Sequence, residues 1–247
     1  AHPDYDRKIH RGGYAIWKGK VILLETHTHH PEMAGSYACY SDDEGKTWQV
    51  SAGFMMGYIQ DGHLGHWSCE EPVMAELKDG RVLCFMRSTT GRILKSYSED
   101  GGQHWMAVRP TELGASQAPP RLVSVPPNGD LLIIWNQNSR EEIRRGFRRN
   151  RLSSAISKDG GHSWAKLSVQ MAQDCHIGPP MVTMLMVDPQ DHDVVWAGVE
   201  VDGVYRSLDG GDPWIHIEGG VPPDIHGMAI SPGEPKKVLA STPREIF

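Results

Sequence analysis

The sequence predicts an all-β fold, a β-propeller built of four-stranded antiparallel blades. Three observations carry that reading. One eight-residue motif, S-x-D-x-G-x-x-W, occurs four times. The segments between its copies are short runs of β-branched and apolar residues bounded by turn residues. No segment keeps a long helical period. Repetition at a near-constant spacing marks a repeat architecture, and four strands per repeat of roughly 50 residues make a propeller blade.

The motif copies are Ser41-Asp42-Asp43-Glu44-Gly45-Lys46-Thr47-Trp48, Ser98-Glu99-Asp100-Gly101-Gly102-Gln103-His104-Trp105, Ser157-Lys158-Asp159-Gly160-Gly161-His162-Ser163-Trp164 and Ser207-Leu208-Asp209-Gly210-Gly211-Asp212-Pro213-Trp214. They start at 41, 98, 157 and 207, so they lie 57, 59 and 50 residues apart. The residue types are those of a self-bonded turn. Asp accepts bonds from backbone N–H groups ahead of it, and Ser bonds back. Gly supplies the positive φ. Trp is expected to anchor the start of the next strand by burying its ring. Four copies of one aspartate are a structural device, since catalysis needs no such repetition.

The strands follow in order. Runs over 13–24, 73–77, 81–86, 93–97, 122–125, 131–135, 152–156, 181–187, 194–198, 228–230 and 238–241 read as β. Lys78-Asp79-Gly80 and Pro127-Asn128-Gly129-Asp130 read as hairpin turns. Each repeat is therefore four strands, A to D, with the Asp motif in the C–D turn. Four motifs account for four blades through about residue 220, and 222–247 begins a fifth. The expectation is one propeller over 1–247 with about four and a half blades, either an incomplete ring or a small ring of about five.

Composition narrows the function classes. The 27 Gly and 17 Pro, 44 of 247 residues, are spread along the chain, as many turns require. A formal net charge of −6 argues against a broad nucleic-acid surface. No apolar run approaches the roughly 18 residues of a membrane-spanning helix. Cys39, Cys69, Cys84 and Cys175 show no CxxC spacing and read as buried free thiols, with a disulfide left open.

Long loops on a rigid scaffold carry function. The B–C and D–A connections, on the face opposite the Asp motifs, are the longer and chemically richer set. Within them His27, His29 and His30 share one loop, and His63 and His66 share the next, just before Glu70 and Glu71. Imidazoles so placed would contact a sugar or lie on the surface, or hold a metal. The first reading is preferred and no metal or cofactor is expected. Trp17 and Trp67 read as packing residues, or as a surface for a sugar ring.

The repeat S-x-D-x-G-x-T-W is that of the Asp-box, or BNR, repeat, and the chain resembles sialidases and sialidase-like BNR-repeat proteins. The likeness extends to Glu71-Pro72-Val73-Met74-Ala75-Glu76-Leu77-Lys78-Asp79-Gly80-Arg81-Val82-Leu83-Cys84-Phe85-Met86-Arg87. That stretch is similar to the sialidase segment running from the catalytic Glu to an Arg of the carboxylate-binding triad. Arg149-Asn150-Arg151-Leu152-Ser153 is similar to the segment bearing another triad Arg. The resemblance is best over about 10–170. From about 174 onward, Val187-Asp188-Pro189 and Gly203-Val204-Tyr205-Arg206-Ser207 resemble a plainer BNR subtype.

The resemblance implies a six-bladed ring, incomplete in this chain, and an exo-glycosidase acting on terminal acidic sugars of glycans. Arg11, Arg87 and Arg149 would hold the sugar carboxylate, since the planar guanidinium makes paired charge-assisted bonds. Glu71 would activate a nucleophile, and Glu32 would serve as the acid in a loop that has no Asp. His29, His63 and His66 would contact substrate. The sequence departs from the pattern at the nucleophile: residues 177–180 hold no Tyr, and Tyr97 and Tyr205 are the nearest. The alternative is a non-catalytic glycan-binding or scaffold propeller. Glu71 with Arg87 is then a structural ion pair, and Arg149 belongs to a solvated basic run. No segment of the chain reads as a signal peptide. A glycan-acting propeller is expected in an extracellular or periplasmic setting, and the sequence leaves the oligomeric state open.

Overall fold

The computed structural model describes residues 14–17, 20–27, 35–58, 66–149, 151–168, 171, 178–231, 233, 236–244 and 246. Each repeat is a four-stranded antiparallel sheet whose strands pair in chain order. The first blade is β1 (Tyr14–Trp17), β2 (Lys20–His27), β3 (Gly35–Ser41) and β4 (Gln49–Val50). A small ribbon, β5 (Gly57–Tyr58) with β6 (His66–Trp67), precedes the second blade. That blade is β7 (Glu70–Glu76), β8 (Val82–Arg87), β9 (Arg92–Ser98) and β10 (Arg109–Gly114). The third is β11 (Arg121–Val125), β12 (Asp130–Asn136), β13 (Leu152–Ser157) and β14 (Ala165–Leu167), with a single helix, α1 (Arg140–Arg144), between β12 and β13. The fourth is β15 (Met181–Val187), β16 (Val195–Glu200), β17 (Gly203–Ser207) and β18 (Ile215–His216). The hairpin β19 (Gly227–Ser231) and β20 (Lys237–Ser241) follows. Among the described residues this is four blades and half of another.

Several details differ from the sequence expectation: the stretches over 57–71 and 109–120 read as loops, but they hold the β5–β6 ribbon, the start of β7 and strand β10. The run over 13–24 is two paired strands, with Trp17 opposite Lys20. Apolar periodicity reads alike on both arms of a tight hairpin, so it shows no break. Helix α1 was not expected. Its signal is Ser139 and Glu142, whose side chains bond reciprocally to each other's backbone N–H in a capping box.

The chain divides into two compact units, Ala1–Pro119 and Pro120–Phe247. In the first, Val82, Leu83, Cys84, Phe85 and Met86 of β8 are all fully buried, so both faces of the strand are packed. Met74, Leu94 and Val108 join them from the same blade, with Ala38 and Tyr40 from β3. In the second unit, Leu132 and Ile134 of β12 pack with Val182, Val195, Ala197, Val199 and Trp214. A Cβ at Gly198 would lie 2.7 Å from Ile225 Cγ2, so the absence of a side chain lets the segment before β19 close on β16. Cys69 and Cys84 are buried and Cys39 is half-buried, and none of the three is in a disulfide. Cys175 lies outside the described residues.

All four Asp motifs occupy the turn between the third and fourth strands of a blade. In the first, Ser41 Oγ donates to Asp43 Oδ1 (2.8 Å) and accepts from Gly45 N (2.8 Å), while Asp43 Oδ1 accepts from Thr47 N (2.8 Å). The second and third repeat these bonds through Ser98, Asp100, Gly102 and His104, and through Ser157, Asp159, Gly161 and Ser163. The Ser163 bonds hold the Asp159 carboxyl far below the usual carboxylate range. The fourth turn is reduced. Gly211 N still donates to Ser207 Oγ (3.0 Å), but Pro213 stands where the Asp would receive an N–H, and proline has none.

The expectation that each motif Trp is a packing anchor holds unevenly. Trp214 is 6% exposed, and Trp105 packs on the core of the first unit. Trp48 is 42% exposed, a correction to that expectation. Its indole N–H donates to Gly45 O (3.0 Å), which lays the ring along its own turn.

These turns differ testably. Asp159→Ala removes bonds to the backbone and should cost about 1 kcal/mol in urea unfolding at neutral pH. Asp209→Ala should stay within about 0.5 kcal/mol of the parent. A depressed carboxyl stabilises the fold above its ordinary value of 3.8 and loses that contribution as the pH falls through its lowered value, so the gap between the variants should close in acid.

Candidate functional site

Glu71 and Arg87 stand at the two ends of one hairpin, the first near the start of β7 and the second closing β8. Regular pairing would send neighbouring side chains of β7 to opposite faces. A bulge changes this. Glu70 pairs with Arg87 and Val73 with Phe85, so Glu71 and Pro72 together oppose Met86. Glu71 takes the left-handed conformation, φ 44°, which an L side chain rarely adopts. Its neighbour Pro72 restricts it further. Such strain persists only where the surroundings enforce it.

The result is a half-buried cluster of two carboxylates on one guanidinium. Arg87 Nη1 donates to Glu71 Oε2 at 2.7 Å, and Nη2 lies 3.4 Å from Glu70 Oε2. The Arg87, Glu70 and Glu71 side chains are 22%, 16% and 25% exposed, so a ligand can reach them. Arg87 Nε is buried without a partner among the described residues. With both ionised carboxylates, the formal charge of the group is −1. Ser88, the next residue, is buried and donates to Arg92 O (2.8 Å), which ties the end of β8 to the start of β9.

The neighbouring groups limit the chemistry. Burial pushes the Cys69 thiol up to about 12, so this sulfur stays protonated and is no nucleophile. Tyr97 pairs with Leu83, four residues and so about 14 Å along the hairpin from Arg87. Its ring lies 4.8 Å from the Arg81 guanidinium and 5.5 Å from Lys95 Nζ, at the Asp-turn end of the blade. Tyr205 belongs to the other unit, and its hydroxyl donates to Asp202.

Arg149 lies in the connection from α1 to β13, half-buried, with no ion pair among the described residues. Other arginines of that basic run are committed elsewhere. Arg145 bonds Glu141 (3.2 Å), and Arg151 Nη2 bonds both Glu142 oxygens at 2.7 and 2.8 Å. The Ser139 cap and then Arg151 lower the Glu142 carboxyl to about 2. The rung that carries Arg149 is thus fastened at both ends. Arg11, Glu32, His29 and His63 lie outside the described residues. His66 is on β6, paired through the backbone with Tyr58. Glu70 is the site residue that the sequence left without a role; its adjacency to Glu71 was visible, but the bulge that brings both acids to one face was not.

Four-stranded blades with the Asp motif in the turn between their third and fourth strands define a BNR-type propeller fold. The chain belongs to the BNR repeat-like domain family, which it matches over residues 14–176. It is a sialidase-like member by fold, and the match ends close to where the repeat subtype is expected to change. Among solved structures it is similar to the GH93 alpha-L-arabinofuranosidase of Fusarium graminearum, at 16% identity and a TM-score of 0.62, over 97% of this chain and 77% of that one. A protein of unknown function from Dyadobacter fermentans matches at 18% identity and a TM-score of 0.61, over 96% and 76%. The NanB sialidase of Streptococcus pneumoniae matches at 16% identity and a TM-score of 0.54, over 79% of this chain. This chain spans about a quarter of that sialidase's length (27%).

Two measurements check the site's construction. Substitutions at position 71 should rank in thermal stability as Gly above Ala above Val, with about 1 kcal/mol between Gly and Ala, because only Gly relaxes at positive φ. The reverse order would show that the bulge is not held there. By carbon-detected NMR titration Glu142 should have a midpoint of about 2, and Ser139→Ala should raise it towards the ordinary glutamate value.

Proposed function

We propose that the chain is a BNR-fold glycoside hydrolase acting on terminal sugars of glycans, with acidic sugars of the sialoside type as its substrate class. The Glu71–Arg87 pair across a strained bulge carries this reading. In it a carboxylate is held in a fixed position, partly exposed, at the end of a blade opposite the Asp turns. The structural likeness to named glycosidases supports the hydrolase class, while the arginines support an acidic substrate.

In this reading Glu71 is the base that removes a proton from the nucleophile, and Arg87 orients it through the 2.7 Å bond to Oε2. Glu70 shares the same guanidinium and draws its second nitrogen. A substrate carboxylate that approaches Arg87 must therefore compete with Glu70 for Nη2, the weaker of the two contacts at 3.4 Å. Arg11 and Arg149 would supply the remaining charge, Glu32 the acid, and His29, His63 and His66 the contacts to sugar hydroxyls. No resident cofactor enters this scheme.

The non-catalytic reading has one specific observation in its favour: Tyr97 lies at the wrong end of its blade to be activated by Glu71. Fluorogenic α-sialosides and α-L-arabinofuranosides assayed side by side separate the two. Turnover should appear on the sialoside. Glu71→Gln should lower kcat about 10²–10⁴-fold with little change in KM. Arg87→Ala should raise KM for the sialoside and leave any neutral substrate less affected. Binding of sialic acid without turnover of either substrate, lost in Arg87→Ala, would establish the binding module instead.

A further inference from the structure

The second unit contains a group of side chains that the Glu71 site does not use. Glu200 closes β16, Asp224 lies in the connection that leaves the fourth blade, and His226 immediately precedes β19. One ligand atom from each lies within 4.8 Å of the others. We propose that Glu200, Asp224 and His226 form a binding site for a divalent first-row metal ion such as Zn²⁺.

Three features support this. First, the donor set is one imidazole and two carboxylates, which suits a borderline dication. Ligand atoms of a tetrahedral site with metal bonds of about 2.1 Å stand on the order of 3.4 Å apart, so a shift of about an ångström closes the triangle. Second, the groups come from two separate stretches of chain, Glu200 from the end of β16 and Asp224 with His226 from the connection before β19, and converge because the fold brings these stretches together. The backbone N–H of His226 donates to Ser241 O (2.7 Å), which registers the segment against β20. The close approach at Gly198 then seats Ile225 on β16, two residues before Glu200. Third, the charge is uncompensated. Neither Glu200 nor Asp224 has a Lys or Arg partner among the described residues, and the only ion-pair partner of Asp224 there is His226 Nε2, at 2.9 Å. A dication seated among the three groups would take the place of the direct contact between His226 Nε2 and Asp224 Oδ1.

All three groups are half-buried, with the His226 side chain 20% exposed. Three protein ligands leave a fourth position open to water or a sugar hydroxyl. The residues stand at the B–C and D–A end of their blade, opposite its Asp turn. The site is independent of the proposed glycosidase reading, and its test does not use turnover.

The full chain, stripped of metal with a chelator, is titrated with Zn²⁺ by calorimetry and with Co²⁺ by visible absorption. The wild type should show a Zn²⁺ site that His226→Gln and Glu200→Gln each weaken by at least the roughly 10–100-fold that loss of even a supporting group costs. The Co²⁺ d–d band should change in the same variants. His192→Gln, at an exposed histidine of the same unit, should leave both signals unchanged. Circular dichroism of the metal-free variants checks folding, and Glu200→Gln decides the matter should His226→Gln fail to fold. Isotherms of His226→Gln and Glu200→Gln that overlay the wild type would overturn the proposal. So would a Zn²⁺ signal lost only in a His63→Ala/His66→Ala variant.

Discussion

The serine–aspartate clamp in the C–D turn is the constraint on which each blade depends. A propeller blade must reverse direction three times within about 50 residues. In three of the four blades the last reversal has no long strand to secure it, since β4, β14 and β18 are only two or three residues long, whereas β10 has six. The turn therefore carries its own hydrogen bonds. A buried serine hydroxyl accepts from a glycine N–H and donates to the aspartate, whose carboxylate gathers the N–H groups beyond. The register so fixed passes back through the C strand to the two inner strands, where the core lies. The fourth turn shows how far the device can be reduced: the serine–glycine bond persists, the aspartate loses its N–H to Pro213, and the buried ring of Trp214 holds the turn in its place.

The Asp turn and the Glu70–Glu71–Arg87 charge cluster lie at opposite ends of the second blade. The Asp turns fasten one end through repeated short-range bonds. At the other end, the second blade breaks its own pairing rule. Two residues of β7 oppose one of β8, and the carboxylates of Glu70 and Glu71 converge on Arg87. A flat strand would have placed one acid on each face. The bulge concentrates charge at the strand end, and the rigid core below it, fully buried from Val82 to Met86, keeps that charge in place. The Glu200–Asp224–His226 group stands at the equivalent end of the fourth blade, again where strands meet longer connections.

Much of the fold was legible in the sequence because its cause is local. Serine, aspartate, glycine and tryptophan at fixed offsets define a turn whatever lies beyond, and β-branched runs between such turns define strands. The Met181–Val187 strand has the bounds that its apolar run gives, and most others differ by a residue or two. Helix α1 was legible too, in Ser139 and Glu142, but a capping box at the head of a basic run is easily read as loop. Trp48 was not: whether a ring is buried depends on what covers the outermost strand, which no local motif encodes.

The candidate site divides the same way. The sixteen-residue interval from Glu71 to Arg87 is a sequence fact, and a hairpin with its turn at Lys78-Asp79-Gly80 already brings them to one end. The sequence by itself thus determined the blade, its repeat, the position of the Asp turns and the pairing of one acid with one arginine. Only the tertiary structure decided that Glu70 shares that arginine and that Glu200, Asp224 and His226 meet. The physical reason is that strand pairing and turn chemistry act between near neighbours, whereas bulges, strand-end convergence and close packing such as that at Gly198 are settled by how whole segments fit against one another.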